Sequence, residues 1–148
     1  MKQFLSFFLL SIICCPNLFA AENIETFEKE FISCIETYKQ QEEKCPELWS
    51  MKCYDHLMSA HKNTQQCFQK VATKLFTNFY GLSEKEANKK FEDFHKFTYD
   101  QYFFIFAETD FCKKNNCGLS LYLYSQYVTT DQLRYYINKI IRSISARN

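Results

Sequence analysis

The chain has 148 residues, a formal net charge of +1 and 24% charged residues, and this length fits a single domain. Proteins that bind nucleic-acid phosphates carry an excess of cations, so the near-neutral balance argues against a nucleic-acid partner. Two glycines and two prolines leave little material for tight β-turns, and the composition therefore favours helices over sheets.

Residues 1–20 have the three parts of a secretory signal peptide. Lys2 supplies the positive charge, an apolar run interrupted by two serines covers residues 4–15, and Ala20 is the small residue before the cleavage point. An uncleaved anchor is the alternative, but this run is shorter than the roughly 20 residues that a membrane-spanning helix needs. We therefore expect cleavage after Ala20, which leaves residues 21–148 as a single helical, disulfide-bonded domain that is periplasmic or secreted.

The charges of residues 21–148 are balanced but unevenly distributed. Residues 21–60 hold nine acids and four lysines, whereas residues 113–148 hold six lysines and arginines and one acid. Such a dipole would steer a charged partner, although a solvated surface explains the same charges. No apolar stretch after residue 20 is long enough to span a membrane, so we expect no membrane span in the mature chain.

Three helices are expected before the first glycine. Apolar residues at steps of three and four predict the first helix over residues 23–43. A second helix is expected from Pro46 to about residue 61, because proline at the first helical position gives up no hydrogen bond. Asn63, followed three residues later by Gln66, resembles a helix cap and predicts a third helix that ends near Gly81.

A fourth helix is predicted over about residues 84–110. Ser83 and Glu86 have the spacing of a capping box, in which each side chain bonds to the backbone amide of the other residue. The helix is apolar on most of its circumference, a pattern typical of a helix that is buried among others, so we expect it to be the central helix. Its main apolar stripe consists of Ala87, Phe91, Phe94, Thr98, Tyr102 and Ile105.

The rest of the chain predicts a loop and at least one more helix. Residues 113–118 form a polar loop, and the alternation in residues 119–128 is compatible with an extended segment or with a short helix. Thr129 or Thr130 then caps a last helix. The sequence thus predicts an all-α fold, a small disulfide-stapled bundle of about five helices in which an extended segment near residues 119–128 remains an alternative.

Six cysteines remain after cleavage, and an even number in an exported chain implies three disulfides. Metal binding is the less favoured alternative, because no Cys-x-x-Cys occurs and the histidines lack zinc-finger spacing. A helix hairpin that turns near Lys44 would bring Cys34 level with Cys53, and the short loop between Cys112 and Cys117 can close easily. The remaining pair then follows by elimination. The expected pairs are Cys34–Cys53, Cys45–Cys67 and Cys112–Cys117.

No motif of a known catalytic site occurs in the chain, so we expect no catalytic residue, cofactor or metal. His56 and His61 are interpreted as surface residues. A small hydrolase remains a second hypothesis, built on Glu108, Asp110 or His95. Burial of these acids at the end of an aromatic helix would raise their pKa values and suit them to acid–base chemistry.

Tyrosines near the last predicted disulfide are the candidates for partner binding. Tyr122, Tyr124 and Tyr127 follow the Cys112–Cys117 loop, and tyrosine on a stapled loop is typical of a contact surface. The alternative is that the three rings cover the bundle and turn only their hydroxyls towards water.

Residues 101–112 resemble a stretch of the lysozyme-inhibitor LprI-like family. Gln101, Phe104 and Cys112 fit the glutamine, aromatic residue and cysteine of that stretch, whereas Glu108 stands where the family has arginine. The resemblance implies an exported, helical, cysteine-bridged domain that binds or inhibits a wall-degrading enzyme.

The sequence therefore favours an exported, non-enzymatic binding protein, such as an inhibitor or immunity-type factor whose protein partner is lysozyme or another cell-wall hydrolase. A small secreted hydrolase and a structural envelope protein are the alternatives.

Overall fold

The computed structural model describes residues 16–45, 53–115 and 117–147. These ranges form five helices and no strand, which confirms the predicted all-α bundle. The first fifteen residues of the predicted signal peptide lie outside the described ranges. The helices are α1 (Pro16–Glu42), α2 (Tyr54–Tyr80), α3 (Glu84–Ala107), α4 (Asp110–Asn115) and α5 (Gly118–Ser145).

α1 begins seven residues earlier than predicted. Pro16 is its first residue, a position at which the missing amide costs no intrahelical bond. The cleavage point expected after Ala20 therefore lies within the helix, and processing there would shorten α1 at its amino end.

From Tyr54 onwards the second and third predicted helices are one continuous helix, so the predicted break at Asn63 is wrong, while the expected start at Pro46 lies outside the described residues. Asn63 is exposed on α2, and one buried face continues past it at steps of three and four residues. This face includes Leu57, Ala60, Thr64, Phe68, Val71 and Leu75. The end of α2 is as predicted: Gly81 has φ +66°, a left-handed conformation that glycine adopts without steric cost, and its N–H donates to the carbonyl of Phe76.

α3 begins with the predicted capping box, in which Ser83 Oγ accepts from the Glu86 amide and Glu86 Oε2 accepts from the Ser83 amide. The prediction that this helix is central is wrong. Its buried residues are Ala87, Phe91 and Thr98, whereas Ile105 of the expected stripe is exposed. The central helices are α2 and α5, which pack on each other and on both outer helices, while α1 and α3 lie on opposite sides of them.

The segment over residues 119–128 is helical, so the extended alternative is wrong. It forms the first turns of α5, because its buried Leu123 and Ser125 continue the buried face of the later turns. Thr129 and Thr130 accordingly lie inside this helix rather than capping it. The expected loop over residues 113–118 is partly replaced by the short helix α4.

The disulfides staple neighbouring helices, but two of the three expected pairs are wrong. The bonded pairs are Cys34–Cys67, Cys45–Cys53 and Cys112–Cys117, with Cα–Cα distances of 5.9, 5.8 and 4.8 Å. The connection between α1 and α2 runs from residue 43 to residue 53, because α2 begins only at Tyr54, and it is longer than a hairpin that turns at Lys44 requires. The antiparallel helices therefore place Cys67, not Cys53, level with Cys34.

Apolar side chains form two separate core clusters in the described ranges. The larger one fills the half of the bundle that contains the start of α1 and the end of α5, and its members include Phe31, Phe68, Leu75, Leu133 and Ile137. The smaller one lies at the opposite end and contains Cys45, Leu57 and Leu123. No helix within the described ranges has the length and hydropathy needed to cross a bilayer.

Candidate functional site

The three tyrosines proposed for partner binding occupy three different environments on α5. Tyr122 is exposed and its ring lies 5.3 Å from that of Phe103. Tyr124 is half-buried, with its ring 4.1 Å from that of Phe106, and Tyr127 is exposed, with its ring 6.0 Å from that of His61. The three rings therefore do not form one patch, and their role in binding stays a prediction.

The three residues of the hydrolase hypothesis do not converge. Glu108 is 72% exposed in its side chain and forms an ion pair with Lys113 at 2.6 Å, so the burial expected for this residue is absent. Asp110 is exposed as well. His95 lies thirteen residues before Glu108 on the same helix, which separates their Cα atoms by roughly 20 Å.

Exposed apolar side chains collect on the carboxyl-terminal half of α3 and the first turns of α5. This set, here called the aromatic surface, consists of Phe97, Phe104, Ile105, Leu119 and Tyr122. Their exposed fractions range from 46% to 66%. Spacings of seven and eight residues place the three members on α3 along one face of that helix, and Phe103 connects them to α5 through ring contacts with Phe104 and Tyr122.

A layer of buried polar side chains separates the two apolar clusters. Its buried members lie on the two central helices, α2 and α5, and on the outer helix α3. Its members are His61, Thr64, Gln65, Thr98, Ser125, Thr129 and Thr130. The interpretation of His61 as a surface residue is wrong, since only 2% of it is exposed.

The hydrogen bonds of Thr130 determine the tautomer of His61. The Thr130 hydroxyl donates to the carbonyl of Gln126 at 2.8 Å, and its oxygen accepts from Gln65 Nε2 at 3.0 Å. Because its one proton is used, Thr130 must also accept from His61 Nδ1, which lies 3.1 Å away. His61 therefore carries its proton on Nδ1 when it is neutral, and Nε2 is an acceptor.

The network extends from the layer to the surface on both sides of α2. On one side, the Tyr38 hydroxyl donates to Glu42 Oε1 at 2.9 Å and lies 3.4 Å from His61 Nε2. On the other side, His95 Nε2 donates to Gln65 Oε1 at 2.9 Å. A continuous chain of polar contacts thus joins α1, α2, α3 and α5.

Burial controls the protonation of this network. It lowers the pKa of the His61 imidazole to about 4 and also lowers the pKa of His95, because a charged ring loses its hydration inside the bundle. Burial, followed by the hydrogen bond to Glu42, raises the pKa of the Tyr38 phenol. All three groups are therefore neutral at pH 7.

A small cleft adjoins the layer between α1, α2 and α5. It has a volume of about 80 Å³ and is lined by the rings of Tyr38 and Tyr127 together with Thr64. Arg134 and Asp131 lie at its rim and pair with each other at 2.5 Å. The space and the polar atoms suit ordered water rather than a large substrate.

Ser125 and Thr129 have buried hydroxyls that find no hydrogen-bond partner in the part of the chain that the structure describes. Both residues are 0% exposed on α5. A buried hydroxyl without a partner lowers the free energy of unfolding. Removal of a hydroxyl that accepts from several donors is also destabilising, because it leaves those donors unpaired. We therefore expect Thr129→Val to raise the free energy of unfolding by about 1 kcal/mol, which urea unfolding followed by circular dichroism measures.

The matched control is Thr130→Val, the same change one residue later. It removes the acceptor of both Gln65 and His61 and should lower the free energy of unfolding by about 2 kcal/mol. Equal effects of the two substitutions would contradict the hydrogen-bond assignment of this layer.

Sequence reasoning missed the polar layer, although a signal for it exists. On α2, Thr64 continues the apolar stripe between Leu57 and Phe68, and on α5 Thr130 lies seven residues before Ile137 of the core. Polar residues in phase with an apolar stripe indicate a buried polar network. The helix breaks predicted at Asn63 and near residue 128 divide both stripes and thereby conceal their polar members.

Comparisons with known proteins return no match: no family model, no curated protein and no solved structure is similar to this chain. Within the described ranges, no three histidine, cysteine, aspartate or glutamate side chains lie close enough together to hold a metal ion.

Proposed function

We propose that the mature chain is an exported, non-catalytic binding protein that docks onto a cell-wall hydrolase, as an inhibitor or immunity-type factor. The observation that carries this proposal is the aromatic surface, where five large apolar side chains on the carboxyl-terminal half of α3 and the first turns of α5 remain 46–66% exposed. Contiguous exposed apolar side chains on a protein surface are typical of interaction sites.

The composition of the aromatic surface suits a protein partner. Phe97 and Phe104 are the most exposed phenylalanines among the described residues, and Tyr122 adds a ring with a polar tip. Aromatic side chains supply most of the binding free energy at protein interfaces, because they bury much area with few rotatable bonds.

Rigidity supports the same proposal. The disulfide Cys112–Cys117 closes the connection between α4 and α5, next to Leu119 and Tyr122. The ring contact between Phe106 and Tyr124 holds the end of α3 against the first turns of α5. A surface that is held in place before docking loses little conformational entropy on binding.

The choice of a hydrolase as partner is based on the resemblance to the lysozyme-inhibitor LprI-like family. Gln101 and Phe104, which carry part of that resemblance, are both exposed, and Phe104 belongs to the aromatic surface. The excess of acids in residues 21–60 favours a cationic partner, whose association would slow as salt is added.

An extracellular or periplasmic location belongs to this proposal. The three disulfides and the absence of a membrane-spanning helix from the described ranges are compatible with an extracellular protein. Amino-terminal sequencing of the exported product should begin at Ala21, and a chain that still begins at Met1 would contradict the signal-peptide prediction.

Mixing the exported protein with lysozyme and a panel of other wall hydrolases tests the function. We expect binding and loss of hydrolase activity, with the double variant Phe97→Ser, Phe104→Ser weakening the affinity at least about 30-fold, the effect of losing an interface hot spot. Surface plasmon resonance and a wall-lysis assay measure the two effects.

The matched control is Tyr135→Ser, an equally exposed ring on α5 that lies outside the aromatic surface. It should leave affinity and inhibition unchanged. Absence of binding to every hydrolase in the panel, or turnover of wall substrates by this protein itself, would overturn the proposal.

A further inference from the structure

The three disulfides differ in how far their cysteines are buried. Cys34 belongs to the larger apolar cluster and is 2% exposed, and Cys45 belongs to the smaller one and is 5% exposed. Cys112 and Cys117 are both only partly buried. Among the three disulfides that the structure describes, Cys112–Cys117 is therefore the one without a buried cysteine.

Burial protects a disulfide from reduction, because one of its sulfur atoms must leave with a negative charge. A thiolate attacks one sulfur in line with the S–S bond and expels the other as a thiolate. In the two disulfides of the clusters, attack on the more accessible sulfur expels Cys34 or Cys45 among apolar side chains, where a charge loses its hydration. Attack on Cys112 instead expels Cys117 where water can reach it.

The amino end of α5 stabilises this leaving sulfur. Cys117 is the N-cap of the 28-residue helix, and its side chain makes no capping hydrogen bond within the part of the chain that the structure describes. The first-turn amides and the helix dipole favour a negative charge at this position, and residues 118–121 include no acid that would oppose it. The charges around the loop balance, since Glu108 pairs with Lys113 and the exposed Asp110 and Lys114 have opposite signs. The helix end therefore decides where a thiolate is most stable.

The same disulfide holds the connection next to the aromatic surface. α4 has six residues, too few for a helix that is stable by itself, and it packs mainly on the end of α3. The covalent bond ties it to the start of α5, where Leu119 and Tyr122 of the aromatic surface lie. Opening the bond would let the first turns of α5 fray, whereas both core clusters would keep their own disulfide.

We infer that Cys112–Cys117 is a thiol–disulfide exchange site, which low-molecular-weight thiols such as glutathione open while the bundle stays folded, and that its opening loosens the aromatic surface. A thiolate bonds to Cys112 Sγ, the bond between the two Sγ atoms breaks, and Cys117 leaves with the electron pair. A second thiolate attacks the external sulfur of this mixed disulfide and releases Cys112 as a thiolate, which takes up a proton. Two thiols are thereby oxidised to one external disulfide, and the protein gains two electrons.

This inference goes beyond the proposed function and stands without it, because its readouts need no partner protein. If no hydrolase binds to the aromatic surface, the order in which the disulfides are reduced is unaffected. If all three disulfides are reduced together, the binding of a hydrolase by the oxidised protein is unaffected. The two proposals therefore fail or succeed separately.

Thiol trapping tests the exchange site. The exported protein is incubated with reduced glutathione under native conditions, the free thiols are alkylated at successive times, and the labelled cysteines are mapped by mass spectrometry. We expect Cys112 and Cys117 to be labelled at least about tenfold faster than the four cysteines of the other disulfides, with an unchanged helical circular dichroism signal. Simultaneous labelling of all six cysteines, or earlier labelling of another pair, would overturn the inference.

Two serine variants test the role of the helix end. Ser120→Asp places an acid in the first turn of α5, where it opposes a thiolate at Cys117, and it should slow the labelling about threefold. The matched control is Ser143→Asp, the same change on an exposed serine at the opposite end of α5, and it should react at the rate of the parent. Equal rates for the two variants would mean that α5 does not stabilise the leaving sulfur.

Hydrogen exchange tests the effect on the aromatic surface. In the double variant Cys112→Ser, Cys117→Ser, the amides of residues 118–124 should exchange at least about tenfold faster than in the oxidised parent, whereas those of residues 64–75 in α2 should keep their rates. Unchanged exchange in residues 118–124 would disconnect the bond from the aromatic surface. Faster exchange in α2 as well would show that the bundle does not stay folded without this disulfide, and it too would overturn the inference.

Discussion

Replacing Cys34 and Cys67 together by alanine is expected to lower the free energy of unfolding by about 4 kcal/mol. The disulfide joins α1 to α2 across 33 residues of sequence, and the unfolded chain gains the conformational entropy of that loop when the bond is lost. This loss is a large fraction of the free energy of unfolding of a typical domain, which is roughly 5–15 kcal/mol. Urea unfolding of the exported protein, followed by circular dichroism, measures the difference.

The matched control removes a disulfide that closes a much shorter loop. Cys112 and Cys117 are separated by 5 residues, and their joint replacement by alanine should cost about 2 kcal/mol. An equal or larger loss from this second pair would contradict the argument from loop length.

Peptide mapping of the unreduced protein checks the pairing itself. Cleavage after Lys44, Lys52 and Lys62 puts the four cysteines on separate peptides and should release Cys34 joined to Cys67 and Cys45 joined to Cys53. Recovery of the pairs expected from the sequence, Cys34–Cys53 and Cys45–Cys67, would mean that the register of α1 on α2 is wrong.

The second large effect is expected on acidification, because the folded protein binds a proton at His61 less readily than the unfolded chain does. Burial lowers the pKa of His61 from the ordinary value of 6.5 to about 4. Above pH 6.5 the ring is neutral in both states and costs nothing. Between pH 6.5 and 4 the unfolded chain takes up the proton first. The free energy of unfolding therefore decreases as the pH is lowered and should be about 3 kcal/mol smaller at pH 4.

Chemical denaturation at a series of pH values, with the parent protein and the variant His61→Gln, measures this contribution. The carboxylates titrate in both proteins, so the difference between the two pH profiles isolates His61. The variant should lose about 3 kcal/mol less than the parent between pH 7 and pH 4. Burial also lowers the pKa of His95, which therefore adds a smaller loss of the same sign to both proteins.

The matched control is His56→Gln, which removes another histidine of α2 whose side chain is only partly buried and donates to the carbonyl of Gln41. It should retain the acid loss of the parent. Parallel pH profiles for the parent and for His61→Gln would show that the proton of His61 does not oppose folding.

Signals that involve a few neighbouring residues predicted the structure correctly. The capping box of Ser83 and Glu86 begins α3, and Gly81 ends α2, because each depends on backbone groups within one helical turn. The disulfide Cys112–Cys117 was predicted for the same reason, since its short loop can close without knowledge of the rest of the fold.

Signals that depend on distant packing misled the sequence analysis. Asn63 has the appearance of a helix cap, yet the buried face of α2 continues past it, and burial outweighs a local preference of this size. α3 is apolar on most of its circumference, but Phe97, Phe104 and Ile105 in its second half remain exposed on the aromatic surface instead of entering a core. A pattern of apolar residues reports what a helix is able to bury, not whether a neighbour is there to cover it.

By itself, the sequence determined the helical class, the presence of three disulfides, and the ends of the helices that have local caps. Only the tertiary structure decided which cysteines pair, which helices are central, and that His61, Gln65 and Thr130 meet in a buried layer. The physical reason is that composition and capping act within a turn or two of the chain. Helix register, hydrogen bonds across the bundle and desolvation of a histidine depend instead on side chains that are thirty to seventy residues apart.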